Sequence, residues 1–228
     1  MSMKEIEMKK IYDYIQTLKL PLPKKVESFI ELKFYNANQQ VVTTGEPANG
    51  FYILVEGKYR VTTNEITGKS LLLRFCSPIS IIGDIEWFQK KTIQSDITTL
   101  HSSTFIFIPY SIYEQYLKEY SPFTQMLLEE LSYKLQTCTV ASRINALASV
   151  DTRFAAYLCT IYSDTKFGKQ LFTANPQEVA SLIGTTHRHI NRVIKKFIEQ
   201  QILIKNRDGL LVNNWPALDQ LSESIRYE

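Results

Sequence analysis

Between Thr186 and Arg207 the chain carries six cationic side chains, Arg188, Arg192, Lys195, Lys196, Lys205 and Arg207, against one acid, Glu199. That local balance of +5 exceeds the +3 of the whole chain, so the remaining residues sum to −2. Cations gathered in one stretch are the electrostatic footprint of a phosphate-binding surface. The same stretch holds the residue types that read base edges. Arg188 and Arg192 can each fork onto guanine or clamp a phosphate, Asn191 can pair with adenine, and His187 can donate to an acceptor or a phosphate. Lys195 and Lys196 fall a turn later, where contact with the nucleic-acid backbone is the natural use. A solvated helix face is the plainer account of such a run, but it leaves the capped turn before it and the hairpin after it unexplained. His187 and His189 lie two apart, on different sides of a helix and with no thiolate or carboxylate beside them, so no metal site is expected there.

The flanking residues say what must position these groups. Pro176 to Ile183 has the spacing of a helix whose Val179, Leu182 and Ile183 face inward. Gly184 can take the left-handed conformation that ends it, and Thr185 or Thr186 caps the next helix. That helix buries Ile190, Val193, Ile194 and Phe197, which leaves His187, Arg188, Asn191 and Arg192 exposed near its start. This is a helix-turn-helix, whose second helix enters the DNA major groove. In "ILIKNRDGLLVNN" short strands flank Asp208 and Gly209, which are expected to form a two-residue hairpin turn, a wing.

Upstream the period is different. From Lys33 to Ile108 short β-branched and aromatic segments are bounded by Gly, Pro and Asn, the pattern of a sandwich or barrel. Phe51 to Val55 is a continuous apolar run, Glu56 and Gly57 suggest a turn, and Tyr59 and Val61 alternate with Lys58 and Arg60. A second turn is expected at Asn64 to Gly68, giving two hairpins in series, with Gly45 and Gly83 marking further turns or close approaches. Ser111 is expected to cap a short helix, Ile112 to Glu119. Ser121 and Pro122 then open a long helical stretch. Leu128, Leu131, Leu135 and Cys138, with Leu127 and Ala141 alongside, form a narrow stripe at spacings of three and four. A partner helix from a second copy would cover it; the other solution is packing on the chain's own barrel. Ser149 and Asp151 cap a further helix through Arg153, Phe154, Tyr157, Leu158 and Ile161. The expected division is therefore 1–120 for a β-roll, 121–147 for a dimerisation helix and 148–228 for a winged helix-turn-helix domain, an α+β chain.

Composition narrows the classes. At 44% apolar and 21% charged residues the chain reads as an ordinary soluble globular protein. No apolar run approaches the roughly 18 residues of a membrane span, and "MSMKEIEMKK" lacks a hydrophobic signal core, so a cytoplasmic protein is expected. Cys76, Cys138 and Cys159 are too scattered for a disulfide framework or a zinc site and are expected to be small buried apolar residues, with a redox-sensing thiol as the alternative. No nucleophile elbow, phosphate loop or metal-ligand spacing is present, so no enzymatic activity is expected.

In this order the roll, long helix, helix-turn-helix and wing resemble the cyclic-AMP receptor protein and fumarate-nitrate regulator family of bacterial transcription factors, over nearly the whole chain. The likeness is carried by "GEPANGFYILVEGKYRV" (45–61), "IIGDIEWF" (81–88), "RFAAYL" (153–158) and "QEVASLIGTTHRHINRVIKKFIEQQILI" (177–204). It implies a cyclic-nucleotide-binding-like sensor domain, a homodimer joined along the long helix, a roughly two-fold DNA site near promoters, and contact with RNA polymerase. It also places an effector pocket around Gly83, Asp84, Ile85, Gln94 and Ser95, where Asp84 with Glu86 is a pocket feature rather than an acid–base pair. Members that bind cyclic AMP have a Gly-Glu-Leu type turn and, about ten residues on, an Arg-Ser or Arg-Thr pair that grips the phosphate. Here Gln94 and Ser95 stand at that pair. A buried phosphate without a cationic partner loses the stronger class of hydrogen bond, so cyclic AMP is not expected to bind. The amino-terminal region has no cysteine, which excludes the family's iron-sulfur cluster. His101 alone could ligate a haem, although a lone histidine is more often a surface residue. The pocket either takes another small molecule or is filled by side chains. Many members carry Arg-Glu early in the reading helix. Here His187 and Arg188 occupy that place, with Arg192 at the later matching arginine, so a different preferred sequence is expected.

The expected function is a sequence-specific DNA-binding transcriptional regulator, a homodimer not controlled by cyclic AMP and without a resident cofactor. The alternative is a small-molecule sensor whose winged domain contacts protein instead of a specific DNA site.

Overall fold

The computed structural model describes residues 3–64, 70–163, 165–206 and 209–227. They form two compact units, divided within one long helix after Lys134, with residues 70–74 grouped with the second. The first opens with α1 (Met3–Thr17), a helix absent from the sequence reading, whose Ile11 and Ile15 lie one turn apart and are both buried. Strands β1 (Glu31–Tyr35), β2 (Gln40–Val42), β3 (Gly50–Glu56), β4 (Tyr59–Asn64), β5 (Ser70–Cys76) and β6 (Ser80–Ile82) follow. Then come α2 (Asp84–Gln89), β7 (Asp96–Thr99) and β8 (Ser103–Pro109).

The strands make two four-stranded sheets, ordered β1-β8-β3-β6 and β2-β7-β4-β5. Within the first, β3 is buried on both faces, which is why Phe51 to Val55 is continuously apolar. Phe51, Ile53 and Val55 pack with Ile106, Ile108 and the residues of α1, while Leu54 joins Val42, Tyr59, Ile97 and Phe105 on the other side. The expected hairpin at Glu56 and Gly57 is not one. Both neighbours of β3 are taken, by β8 and β6, so the chain crosses at Gly57 to the second sheet and β4 pairs with β7. Most of the turn expected at Asn64 to Gly68 lies outside the described residues.

The helix expected from a Ser111 cap starts earlier. β8 ends at Pro109, which has an extended backbone, and α3 (Tyr110–Ile112) begins directly after it, placing Ser111 inside the helix. It continues through Tyr113–Leu117 with wider, π-type turns. Next, α4 (Ser121–Leu147) runs unbroken for 27 residues, roughly 40 Å at the usual rise per residue. Its Phe123 and Leu127 are fully buried in the first unit's core, whereas Leu128, Leu135 and Leu147 are exposed. Cys76 and Cys159 are buried, but Cys138 is exposed, against the expectation that all three are core residues: it faces the same side as Leu135 instead of the barrel.

The second unit contains α5 (Val150–Ile161), α6 (Lys166–Leu171), α7 (Pro176–Leu182) and α8 (His187–Glu199), then β9 (Leu203–Asn206), β10 (Gly209–Val212) and α9 (Trp215–Leu221). Ser149 caps α5 by accepting the Thr152 amide, as its position before the apolar run suggests. The apolar side of α5, with Phe154, Ala155, Tyr157 and Leu158, is buried, and α6, α8 and α9 pack on this helix.

Candidate nucleic-acid interface and sensor region

Two helices and a hairpin present the cationic face. In α7, Asn175 accepts the Gln177 amide and Pro176 sits in the first turn, where its missing N–H costs nothing. The helix ends at Gly184, whose φ of +63° is the left-handed value that glycine adopts without strain. Thr186 then caps α8 by accepting the His189 amide at 3.2 Å, so of the two candidate threonines it is the cap. Ile190, Val193 and Phe197 are buried and Phe197 stacks near Phe154 at 5.8 Å, which fixes the rotation of α8. Ile194 is only half-buried.

With that rotation set, Thr186, His187, Arg188, Asn191, Arg192, Lys195 and Lys196 are all exposed. Residues 188, 191, 192 and 195 follow one another at helical neighbour spacing, so they form a continuous strip. His187 and Asn191 are within 3.3 Å through Nε2 and Nδ2, one turn apart. Lys195 lies 3.8 Å from Glu199 on the solvent side. Lys196 is turned away: its ammonium pairs with the Asp151 carboxylate at the start of α5, binding α8 to its support. Asp151 was read as a cap, and nothing local in the sequence signals its partner 45 positions on. In the hairpin β9 pairs antiparallel with β10. Gly209 stands opposite Asn206 as the first residue of β10, not in the turn as expected; Asp208 lies outside the described residues.

The residues expected to line an effector pocket are gathered around α2. Gly83 precedes α2 with φ +94°, and a Cβ there would fall 2.4 Å from the Gly50 carbonyl oxygen, so only glycine fits. The Tyr110 hydroxyl donates to the Gly83 carbonyl at 2.7 Å. Burial, reinforced by the Glu86 and Asp84 charges, pushes this phenol well above its ordinary range and keeps it a donor. Asp84 is 1% exposed, and both its oxygens accept from Lys134 Nζ at 2.7 Å. Lys134 also donates to the Ile81 carbonyl at 2.6 Å and lies 3.8 Å from Glu130, one turn back in α4. The carboxylate therefore already holds a cation from its own chain. Ile85 and Ser95 are half-buried, and Gln94 approaches Glu86 rather than Asp84, its backbone amide donating to Glu86 Oε1 at 3.1 Å. The Gln94 side chain is exposed and donates to the Thr92 carbonyl. Lys134 was missed in the sequence; its one local signal is Glu130 four positions before it on the same helix. His101 is exposed. Among the described residues no group of three or more His, Cys, Asp or Glu could hold a metal ion, and no helix is long and apolar enough to cross a membrane.

A two-sheet roll with a buried turn at its helix, joined through a long helix to a winged helix-turn-helix with a cationic exposed face, is the architecture of a DNA-binding regulator. A cyclic nucleotide-binding domain model matches residues 32–120 and a Crp-like helix-turn-helix domain model matches 152–221, and the chain belongs to the cyclic-AMP receptor protein and fumarate-nitrate regulator family of bacterial transcription factors. Regulatory protein YeiL of Escherichia coli O157:H7 is 23% identical over 197 residues, 86% of this chain and 88% of its own. The cAMP-activated global transcriptional regulator CRP of Haemophilus influenzae is 21% identical over 175 residues, 74% of this chain and 78% of its own. A mutant CooA structure from Carboxydothermus hydrogenoformans shares the fold with a TM-score of 0.73 at 17% identity, covering 92% of this chain and 95% of that one. The chain is thus a transcriptional regulator with a helix-turn-helix DNA-binding domain.

Proposed function

We propose that this regulator acts as a homodimer that reads a two-fold DNA site through α8 and does so without control by cyclic AMP. The observation that carries the DNA reading is the exposed strip of Arg188, Asn191 and Arg192, held outward by the buried Ile190, Val193 and Phe197. Arginine and asparagine at the amino-terminal end of a recognition helix are the residues that pair with guanine and adenine. Lys195 and the wing cation Lys205 supply phosphate contacts. The dimer is supported by Leu128, Leu131, Leu135 and Cys138 on α4. Leu128 and Leu135 are 53% and 71% exposed, an apolar seam at coiled-coil spacing that a second copy of the helix would bury. Docked near a promoter, such a dimer would touch RNA polymerase.

Independence from cyclic AMP is supported by the sensor region. Gln94 and Ser95 offer no charge to a phosphate, and the cation nearest the turn, Lys134, is bonded to Asp84. A phosphate entering there would have to separate a buried ion pair and meet a buried carboxylate.

The test is affinity for the selected DNA site. Arg188→Ala and Arg192→Ala should each lose about 1 to 3 kcal/mol of discrimination between the preferred and a substituted base. Variants that bind the site and its substituted forms as the parent does would remove α8 from the reading role and favour a winged domain that contacts protein.

A further inference from the structure

The amino-terminal end of α8 is attached to the end of α4 through one small polar cluster. Two helix ends of the second unit converge on Arg153, in the first turn of α5. Its Nη1 lies 3.3 Å from the Asn145 carbonyl in the last turn of α4, 2.8 Å from the Ile183 carbonyl and 3.2 Å from the Gly184 carbonyl at the end of α7. Helix carboxyl ends present unpaired carbonyls and a partial negative charge, so two such ends facing one guanidinium are drawn together by it. Asn145 adds a second tie, donating from Nδ2 to the Leu182 carbonyl at 3.3 Å. Its Oδ1 accepts from the Tyr227 hydroxyl at 3.0 Å. Tyr227 is 3% exposed, and its own amide donates to Thr160 Oγ1 at 3.0 Å at the far end of α5. The Arg153 Nε–H is buried with no acceptor among the described residues. An orphaned donor lowers stability, so the arginine's placement is set by the carbonyls it gathers, not by completion of its own bonding.

We infer that Asn145, Arg153 and Tyr227 are positioning residues that fix the turn between α7 and α8 on the last turn of α4, and thereby determine the spacing of the two half-sites that the dimer accepts. They touch no DNA. Their effect is geometric: in a dimer joined along α4, the separation of the two reading helices is set by the angle at which each leaves its α4. A joint with five hydrogen bonds to Asn145, Arg153 and the carbonyls around Gly184 holds that angle to one value. A loosened joint lets the same reading helix engage the same half-site over a range of separations. The inference rests on the proposed two-fold DNA reading, and its test keeps the two apart.

The experiment uses the full chain and a duplex library in which the selected half-site is repeated in inverted orientation, with the spacer varied base pair by base pair over about one helical turn. Wild type should prefer one spacing over its neighbours by about tenfold, within the range by which residues outside a binding site alter coupling. Arg153→Met and Asn145→Leu should flatten that preference to about twofold while enriching the same half-site sequence, and Arg153→Lys should restore part of it, since an ammonium can still reach two of the carbonyls. A spacing profile unchanged in both variants overturns the inference. If Arg153→Met does not fold, Tyr227→Phe decides: removing one hydroxyl should broaden the profile measurably, and an unchanged profile refutes the joint. A wild-type chain that selects half-sites with no preferred spacing refutes the joint alone; one that selects no half-site refutes the DNA reading beneath it.

Discussion

Asp84 illustrates how one partner decides what a buried side chain can do. A carboxylate that is 1% exposed is costly without a partner, and Lys134 supplies one with two contacts of 2.7 Å. Removing the ammonium leaves the charge buried alone, so Lys134→Met should destabilise the sensor domain by about 3 to 5 kcal/mol in urea unfolding, and the double variant with Asp84→Asn should recover most of the loss. Equal stability of Lys134→Met and the parent would show that Asp84 is satisfied in some other way. At this scale the sequence was informative where chemistry is local. Thr186, Gly184 and Ser149 have the cap and turn roles that their types suggest, because each bonds within three residues of itself or needs only its own backbone angle. The pairs Asp84 with Lys134 and Asp151 with Lys196 were not legible, since the partners lie 50 and 45 positions apart and become neighbours only through the fold.

At the level of elements, α4 has two different sides. Phe123 and Leu127 complete the core of the roll, while Leu128, Leu135 and Leu147 meet solvent. Packing on the chain's own roll is thus in use at Leu127, while its neighbour Leu128, with Leu135, is left exposed in the single chain. Leu135 is 71% exposed in the single chain, so Leu135→Glu should change the stability of an isolated chain by no more than about 0.5 kcal/mol. In a dimer it places two carboxylates in an apolar seam. Sedimentation of the variant should therefore show monomers at concentrations where the parent is dimeric; an unchanged mass would put the dimer contact elsewhere. Periodicity found the strands and the reading helix but not the connection at Gly57, because a tight glycine turn reads alike whether the chain doubles back on one sheet or crosses to another. It also passed over α1, whose charged residues are interspersed among apolar ones and whose burial rests on Ile11 and Ile15.

For the whole molecule, the order of a roll, a long helix and a winged helix-turn-helix was legible because each part has its own period and the borders are marked by Ser121 and Ser149. What was not legible is the ion pair in the sensor region, because its two side chains come from segments 50 positions apart. The central claim is that the chain reads a two-fold DNA site with no cyclic nucleotide present. It is tested most directly by selection from random duplex DNA with the purified, ligand-free full chain at near-physiological salt, repeated with cyclic AMP. The account predicts an inverted repeat with half-sites about 34 Å apart, recovered equally in both arms. Enrichment only with cyclic AMP, or of no motif in either arm, would contradict it.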